Sequence, residues 1–391
     1  MIKKHKKSNI WVIIVSIIII FAISLPLIKN NNKKIQYTNP MLENIKLPAD
    51  FEIGIFASDL GKSFNLPGPN KGVRFMEFHN DVLFVSIPST GAVIALPDKD
   101  KDGRADEIVK VIDGLNRPHG IAFLDDYMYV ANEDSVIKAK SNDDLTADKS
   151  TIEHITDLPA GGHWTRTIRI KNNELYVSIG SSCNVCIEND ERRAAIVKCN
   201  LDDGKCDIYA KGIRNAVGFA FHPLSGEMYA TENSRDYLGE DLPPDEINIV
   251  EEGKNYGWPI CYGKNIHDDD FDKNVYIRNP CLEPFEMPSF VDIPAHSAPL
   301  GLTFNFGNNF PKEYKGDLFV AYHGSWNRKA PTGYKVVRID MDTKQAHDFA
   351  TGWLTPENKV LGRPVDIIFD KEGIMYVSDD NAGVIYRIAY K

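Results

Sequence analysis

A histidine set behind two glycines, Gly161-Gly162-His163, opens the run HWTRTIRI, in which threonine or arginine alternates with isoleucine. A neutral imidazole can take a proton from a hydroxyl near neutral pH, and flanking glycines let a ligand come close to the backbone. His119 and His296 have similar settings, and a single histidine of this kind is more often a structural hydrogen-bonder than a base. His163 differs in its company. Arg74, His119, His163, Arg214, Asn215, His296 and Arg363 stand at or just ahead of short apolar runs, in VRFMEF, RPHGIAF, HWTRTIRI, RNAVGFAF, HSAPLGLTF and GRPVDIIF. Arginine forks pair with carboxylates or phosphates, so arginines and histidines recurring in register read as a binding site for an anion.

Carboxylates crowd a second stretch: Glu232, Asp236, Glu240, Asp241, Asp245 and Glu246. Mutual repulsion among them is relieved by a hard cation with oxygen ligands, which points to calcium; a solvated acidic loop is the plainer alternative. PDKDKDGRADE also spaces Asp98, Asp100 and Asp102 ahead of Gly103 like the start of a calcium loop, but Val109 occupies the twelfth position, where such loops carry glutamate. A hairpin tip explains that stretch equally well. The six cysteines pair by proximity as Cys183 with Cys186, Cys199 with Cys206 and Cys261 with Cys281, although six permit about 15 connectivities. Zinc is a lesser alternative for them, and CNVCI lacks the following histidine of a covalent haem.

The elements that must position these residues repeat. LFVS, MYVA, LYVS, MYAT, LFVA and MYVS begin at residues 83, 128, 175, 228, 318 and 375. Each is an aliphatic, aromatic and small-residue strand, and most follow a turn. Such spacing belongs to propeller blades of four strands, with one long interval for an insertion. The polar residues above lie about ten positions ahead of these segments, at the start of each blade's first strand. First strands line the central channel, so those residues converge on one rim. The fold class expected is all-β, a six-bladed β-propeller with four-stranded antiparallel blades, preceded by a transmembrane helix.

That helix is residues 10–28, an uncharged apolar span after MIKKHKK, long enough to cross a bilayer and without a clear cleavage site. The expected domains are an anchor with flanking lysines at 1–34, a linker at 35–48 and the propeller at 49–391, outside the cytoplasm. An even cysteine count suits that oxidising side of the membrane. A net charge of −10 and the lack of basic clusters argue against a nucleic-acid partner.

GIRNAVGFAFHP, TENSRDYLGEDLPPDEIN, NYGWP and HGSWNR resemble the pyrroloquinoline quinone (PQQ)-dependent sugar dehydrogenases of the soluble glucose and L-sorbosone dehydrogenase type, over roughly residues 45–390. The resemblance implies a six-bladed propeller that binds PQQ and calcium and oxidises an aldose or related sugar. It implies His163 as catalytic base and Arg214 with Asn215 facing the quinone oxygens and a cofactor carboxylate. Arg363 matches one of two carboxylate-holding arginines, Val365 taking the place of the other, and Arg328 or Lys329 matches a further cofactor cation. The backbone carbonyls of Ser234 and Arg235 match those holding the cofactor's calcium, and Glu246 and Tyr256, with Asp245, match a separate structural calcium site. Electrons would leave to an external acceptor, a membrane quinone or a cytochrome. Two other functions stay compatible with the fold: a calcium-dependent lactonase-like hydrolase, and a non-catalytic propeller that binds a glycan or protein.

Overall fold

The computed structural model describes residues 42–60 and 72–391. The expected membrane span at 10–28 lies outside the described residues, among which no helix is long and apolar enough to cross a membrane.

Six four-stranded antiparallel sheets make the propeller. Blade 1 comprises Met76–His79, Val82–Ile87, Ala92–Leu96 and Val109–Asp113; blade 2, Ile121–Leu124, Tyr127–Ala131, Ser135–Ser141 and Ala147–Asp157. Blade 3 is Ile168–Lys171, Glu174–Ile179, Ala195–Asn200 and Cys206–Lys211, and blade 4 is Phe219–Phe221, Met228–Glu232, Asp245–Val250 and Val291–Ile293. Blade 5 is Pro299–Phe304, Leu318–Tyr322, Lys335–Ile339 and Ala346–Ala350. Blade 6 joins Pro364–Phe369, Met375–Asp379 and Val384–Tyr390 to the early strand Phe51–Ala57. All six repeat segments are second strands, buried on both faces, which is why they read as nearly continuous apolar runs.

Each gap between adjacent blades holds its own apolar cluster, six in all. A smaller seventh lies on the axis, where Phe75, Val217, Leu300 and Val365 of blades 1, 4, 5 and 6 meet. Val365, which occupies the place of the expected second arginine, is thus part of an apolar floor. No second guanidinium comes from that position.

Blade 6 closes the ring by pairing the two ends of the propeller, Phe51 opposite Tyr390 through Ala57 opposite Ile385. Phe51 packs edge-on against Phe310, Phe349 and Tyr390, with ring centroids 4.7 to 5.1 Å apart. Residues 42–48 are docked rather than free, unlike a simple linker: Lys46 exchanges backbone hydrogen bonds with Thr351, and Leu42, Ile45 and Leu47 pack on the blade 5–6 core. Blade 4 carries the long interval as two insertions, residues 233–244 and 251–290. All three disulfides follow proximity: Cys183–Cys186, Cys199–Cys206 and Cys261–Cys281.

Because first and second strands run antiparallel, the start of one and the end of the other lie together. Loops entering the first strands and loops leaving the second strands therefore form one mouth above the axial floor.

Candidate active site

His163 is fixed by the loop that follows the second strand of blade 3. Its Nδ1 lies 2.9 Å from the Ser181 carbonyl and 3.0 Å from Ser181 Oγ, whose own proton goes to the Cys183 carbonyl at 2.7 Å. A carbonyl only accepts, so Nδ1 carries the proton and Nε2 presents a lone pair. Burial and then the positive charge of Arg214 push the imidazole down to about 4, helped by Arg166 and Arg193. At neutral pH it is an unprotonated base. The fully buried Arg166 anchors the loop that carries His163 into the first strand by donating to the carbonyls of His163 and Pro159, each at 2.6 Å. Glycine is required at 180 by close approach: a Cβ there would lie 2.6 Å from both the His163 Cβ and Asn215 Oδ1. His163 and Asn215 therefore flank one glycine.

Arg214 is buried at the start of blade 4's first strand. Its Nε donates to the Asn184 carbonyl at 2.8 Å, Nη2 to Asn184 Oδ1 at 2.9 Å, and Nη1 to the carbonyls of Asn233 and Ser234 at 2.9 and 3.0 Å. Asp236 stands 3.6 Å away and links onward, 3.9 Å to His296 Nδ1 and 2.7 Å to Asn327 Nδ2. His296 Nε2 donates to the Gly239 carbonyl at 2.8 Å. Asn184 lies between the bonded Cys183 and Cys186, and Trp258 Nε1 donates to the same Asn184 carbonyl.

The other side of the mouth is a second charged group. Arg74 contacts Asp380 at 2.7 Å, and His323 Nε2 contacts the other Asp380 oxygen at 2.9 Å. Burial alone would raise the Asp380 carboxyl, but His323 and Arg74 outweigh it and hold Asp380 ionised. Arg363 donates to the Gly324 carbonyl at 2.7 Å and to the Tyr334 hydroxyl at 3.1 Å. Between Arg74 and His163 lies Trp164, with the Arg117 guanidinium 4.3 Å and the Arg74 guanidinium 5.5 Å from its ring centre. His119 meets the same ring edge-on at 5.6 Å and is wholly buried, which with the charge of Arg74 holds it neutral.

The structure thus gathers the seven rim residues expected from the repeats at one mouth. The remaining expected residues stand as follows. Asp245 is buried, accepts from the backbone N–H groups of Ser234 and Ala298, and is pushed up to about 7 by burial. Glu246 is also raised to about 7, and shares Asn248 with the buried Glu232 opposite it. Arg235 turns its side chain to Asp268 and Asp270, at 2.8 and 3.0 Å. The Tyr256 hydroxyl donates to the Ile249 carbonyl at 2.6 Å and accepts from Glu251 N–H at 2.9 Å, so any ligand role falls to its backbone. Arg328 pairs with Asp241, and Lys329 N–H donates to Glu240 at 3.1 Å, joining the mouth loops of blades 4 and 5. In the blade 1 acidic stretch the carboxylates that converge are Asp98, Asp100 and Asp106; the Asp102 N–H donates to the first two.

Trp164, Asn184, His323 and Asp380 are the site members that the sequence does not single out, and Asp236, expected in an acidic cluster, instead faces Arg214. A signal for three of them was present: polar stretches follow the second strands, as in IGSSCN, YHGSW and SDDNAG. They sit on the other loop of each blade at the same mouth.

The TrAA12-like family model matches residues 71–391. An uncharacterized protein of Borreliella burgdorferi is 36% identical over 89% of this chain and 91% of its own length. The PQQ-dependent pyranose dehydrogenase of Coprinopsis cinerea is 24% identical over 58% of this chain, a match that spans 39% of that protein. The solved structure of the Trichoderma reesei carbohydrate-active enzyme of family AA12 superposes with a TM-score of 0.73, at 21% identity, over 89% of this chain and 98% of that one. With most of its length matched and a propeller of the same fold, the chain belongs to the TrAA12-like family.

Proposed function

We propose that this protein is a PQQ- and calcium-dependent dehydrogenase that oxidises an aldose or a related sugar or polyol. The observation that carries the reading is the His163 imidazole, held at Nδ1 by the Ser181 carbonyl so that Nε2 is left to accept a proton, beside a rim of arginines. The donor set fits an anionic quinone. Arg74, Arg214 and Arg363 come from three blades, and Arg74 Nε is a buried donor without a partner. Arg74 and Arg363 suit the carboxylates and Arg214 with Asn215 the quinone oxygens, with Arg328 and Lys329 farther out. When bound, the quinone supplies the acceptor for hydride from the sugar carbon.

His163 Nε2 takes the hydroxyl proton of the sugar, and the Ser181 carbonyl steadies the imidazolium that results. Arg214, preset by Asn184, stabilises negative charge developing on an acceptor oxygen without having to reorganise. The axial floor of Phe75, Val217, Leu300 and Val365 keeps water from below. The same floor disfavours a hydrolase with its metal on the axis.

Calcium at the backbone carbonyls of Ser234 and Arg235 rests on the resemblance of TENSR to the family's calcium-holding stretch; the Ser234 carbonyl would have to be shared with Arg214, whose Nη1 donates to it at 3.0 Å. A separate calcium near Asp245, Glu246 and the Tyr256 backbone is supported by buried carboxylates whose ionisation a cation would restore. Three disulfides support an oxidising compartment, and the apolar segment 10–28 supports a membrane anchor with the propeller outside the cytoplasm. Electrons then pass to an external acceptor, a membrane quinone or a cytochrome.

Titrating the purified protein with PQQ and calcium tests this reading. Bound-quinone absorbance with dye reduction by aldoses is the expected result; neither signal, with any of a panel of aldoses, would overturn it.

A further inference from the structure

Tyr237 and Trp326 are 74% and 68% exposed, and their rings meet edge to face with centroids 6.1 Å apart. They come from different blades, on the loops that leave the second strands of blades 4 and 5. Those loops are joined directly beneath the rings. Asp236, next to Tyr237, accepts from the side chain of Asn327, next to Trp326, at 2.7 Å. The Arg328–Asp241 pair and the Lys329 N–H on Glu240 add two more ties. The rings therefore stand on a fastened ledge, and its underside is the carboxylate that faces Arg214 and His296.

Neither ring belongs to any of the apolar clusters that pack the blades. Tyr237 has a φ of +67°, in the left-handed region that glycine or asparagine adopts more readily than a bulky side chain does. A tyrosine kept there, exposed and touching another exposed aromatic, is held for what its ring can meet.

Charge decides what that is. The arginine side of the mouth suits an anion, whereas on this ledge Asp236 stands by Arg214, Asp241 is paired with Arg328 and Glu240 lies against Lys329, so no excess of positive charge is left to draw one. Its complement is a neutral ligand with an apolar face and many hydroxyls: the C–H face lies on an aromatic ring and the hydroxyls donate to carboxylates. We propose that Tyr237 and Trp326 form a stacking platform for a pyranose ring, which holds the sugar over the mouth and sets KM. The assignment rests on the sugar-oxidising reading above and adds to it the residues that select a ring-shaped, uncharged substrate.

The test uses Trp326→Ala, Tyr237→Gly, which also relieves the backbone, and the conservative Trp326→Phe. Each is reconstituted with PQQ and assayed with D-glucose, D-galactose, maltose and cellobiose. Loss of one stacking face is expected to raise KM about tenfold, with kcat and PQQ affinity within about twofold and Trp326→Phe close to wild type. Saturation-transfer NMR of the same sugars on the protein without PQQ should show ring-proton contacts that disappear in Trp326→Ala. An unchanged sugar KM in Trp326→Ala overturns the platform and leaves the dehydrogenase reading intact, as does a PQQ affinity that falls in step. A change confined to the KM of a protein electron acceptor overturns it in favour of acceptor docking. If no sugar reduces the wild-type protein, the dehydrogenase reading fails, and the NMR contacts alone decide whether sugars bind here.

Discussion

Asn184 grips Arg214 with two separate atoms, its backbone carbonyl on Nε at 2.8 Å and its side-chain oxygen on Nη2 at 2.9 Å. The same side chain reaches Asp236, accepting from its N–H at 2.7 Å and donating to its carbonyl at 3.0 Å. One amide in a four-residue disulfide loop thus orients both the cation and the loop opposite it. Asn184→Ala should weaken PQQ binding about tenfold, as expected when charge-assisted hydrogen bonds to a buried group are lost. Absorbance titration measures this, and an unchanged affinity would show that Arg214 holds its pose unaided.

Replacing His163 separates chemistry from binding. His163→Gln should lower kcat by about 10²- to 10⁴-fold, the range of a lost general base, while quinone binding stays near wild type. Steady-state dye reduction read beside the absorbance titration checks both, and near-normal turnover would move the base elsewhere.

The pH dependence has a defined sign. His163 is lowered from 6.5 to about 4, so the base is available above about 4 in the protein without ligand and is lost below it. An anionic ligand stabilises the imidazolium and moves the acid limb of kcat upward. Removing a nearby cation acts in the same direction, so Arg193→Gln should shift the limb of kcat/KM to higher pH in a pH–rate profile. Between about 4 and 6.5 the unfolded chain holds a proton on His163 that the folded chain does not. The His163 contribution to stability therefore diminishes as pH falls through that window.

Gly180→Ala should damage the site more than the fold. The added methyl group would collide with both Asn215 and His163, which must move apart. Turnover is expected to fall by at least about tenfold, the sensitivity of chemistry to small displacements, with a comparatively small change in urea midpoint. Full activity in this variant would mean that the two side chains need not stand where the glycine places them.

Phe51→Ala tests the closure of the ring. A large aromatic set among Phe310, Phe349 and Tyr390 should cost about 3 to 5 kcal/mol in urea unfolding. A loss below about 1 kcal/mol would indicate that the ring does not depend on this contact.

The blade count, the second strands and the rim residues were legible because each recurs once per blade, and a repeat tells position without any knowledge of contacts. His163, Arg214 and Arg363 were found in that way. Asn184, His323 and Asp380 were not, since the polar stretches that follow the second strands have unequal lengths and do not mark which residue turns to the mouth. Pairing of Phe51–Ala57 with Val384–Tyr390 joins segments more than 300 residues apart, and local pattern carries no trace of a partner so distant. The apolar floor was also hidden: Val365 read as a missing arginine, and only the axial packing with Phe75, Val217 and Leu300 explains a valine there.

Closure by blade 6 also bears on the order of events during synthesis. The strand at 51–57 leaves the ribosome more than 300 residues ahead of its partner at 384–390. The first five blades can form as they emerge, but the ring cannot shut until residues 384–390 have been made. Until then the early strand offers an unpaired edge.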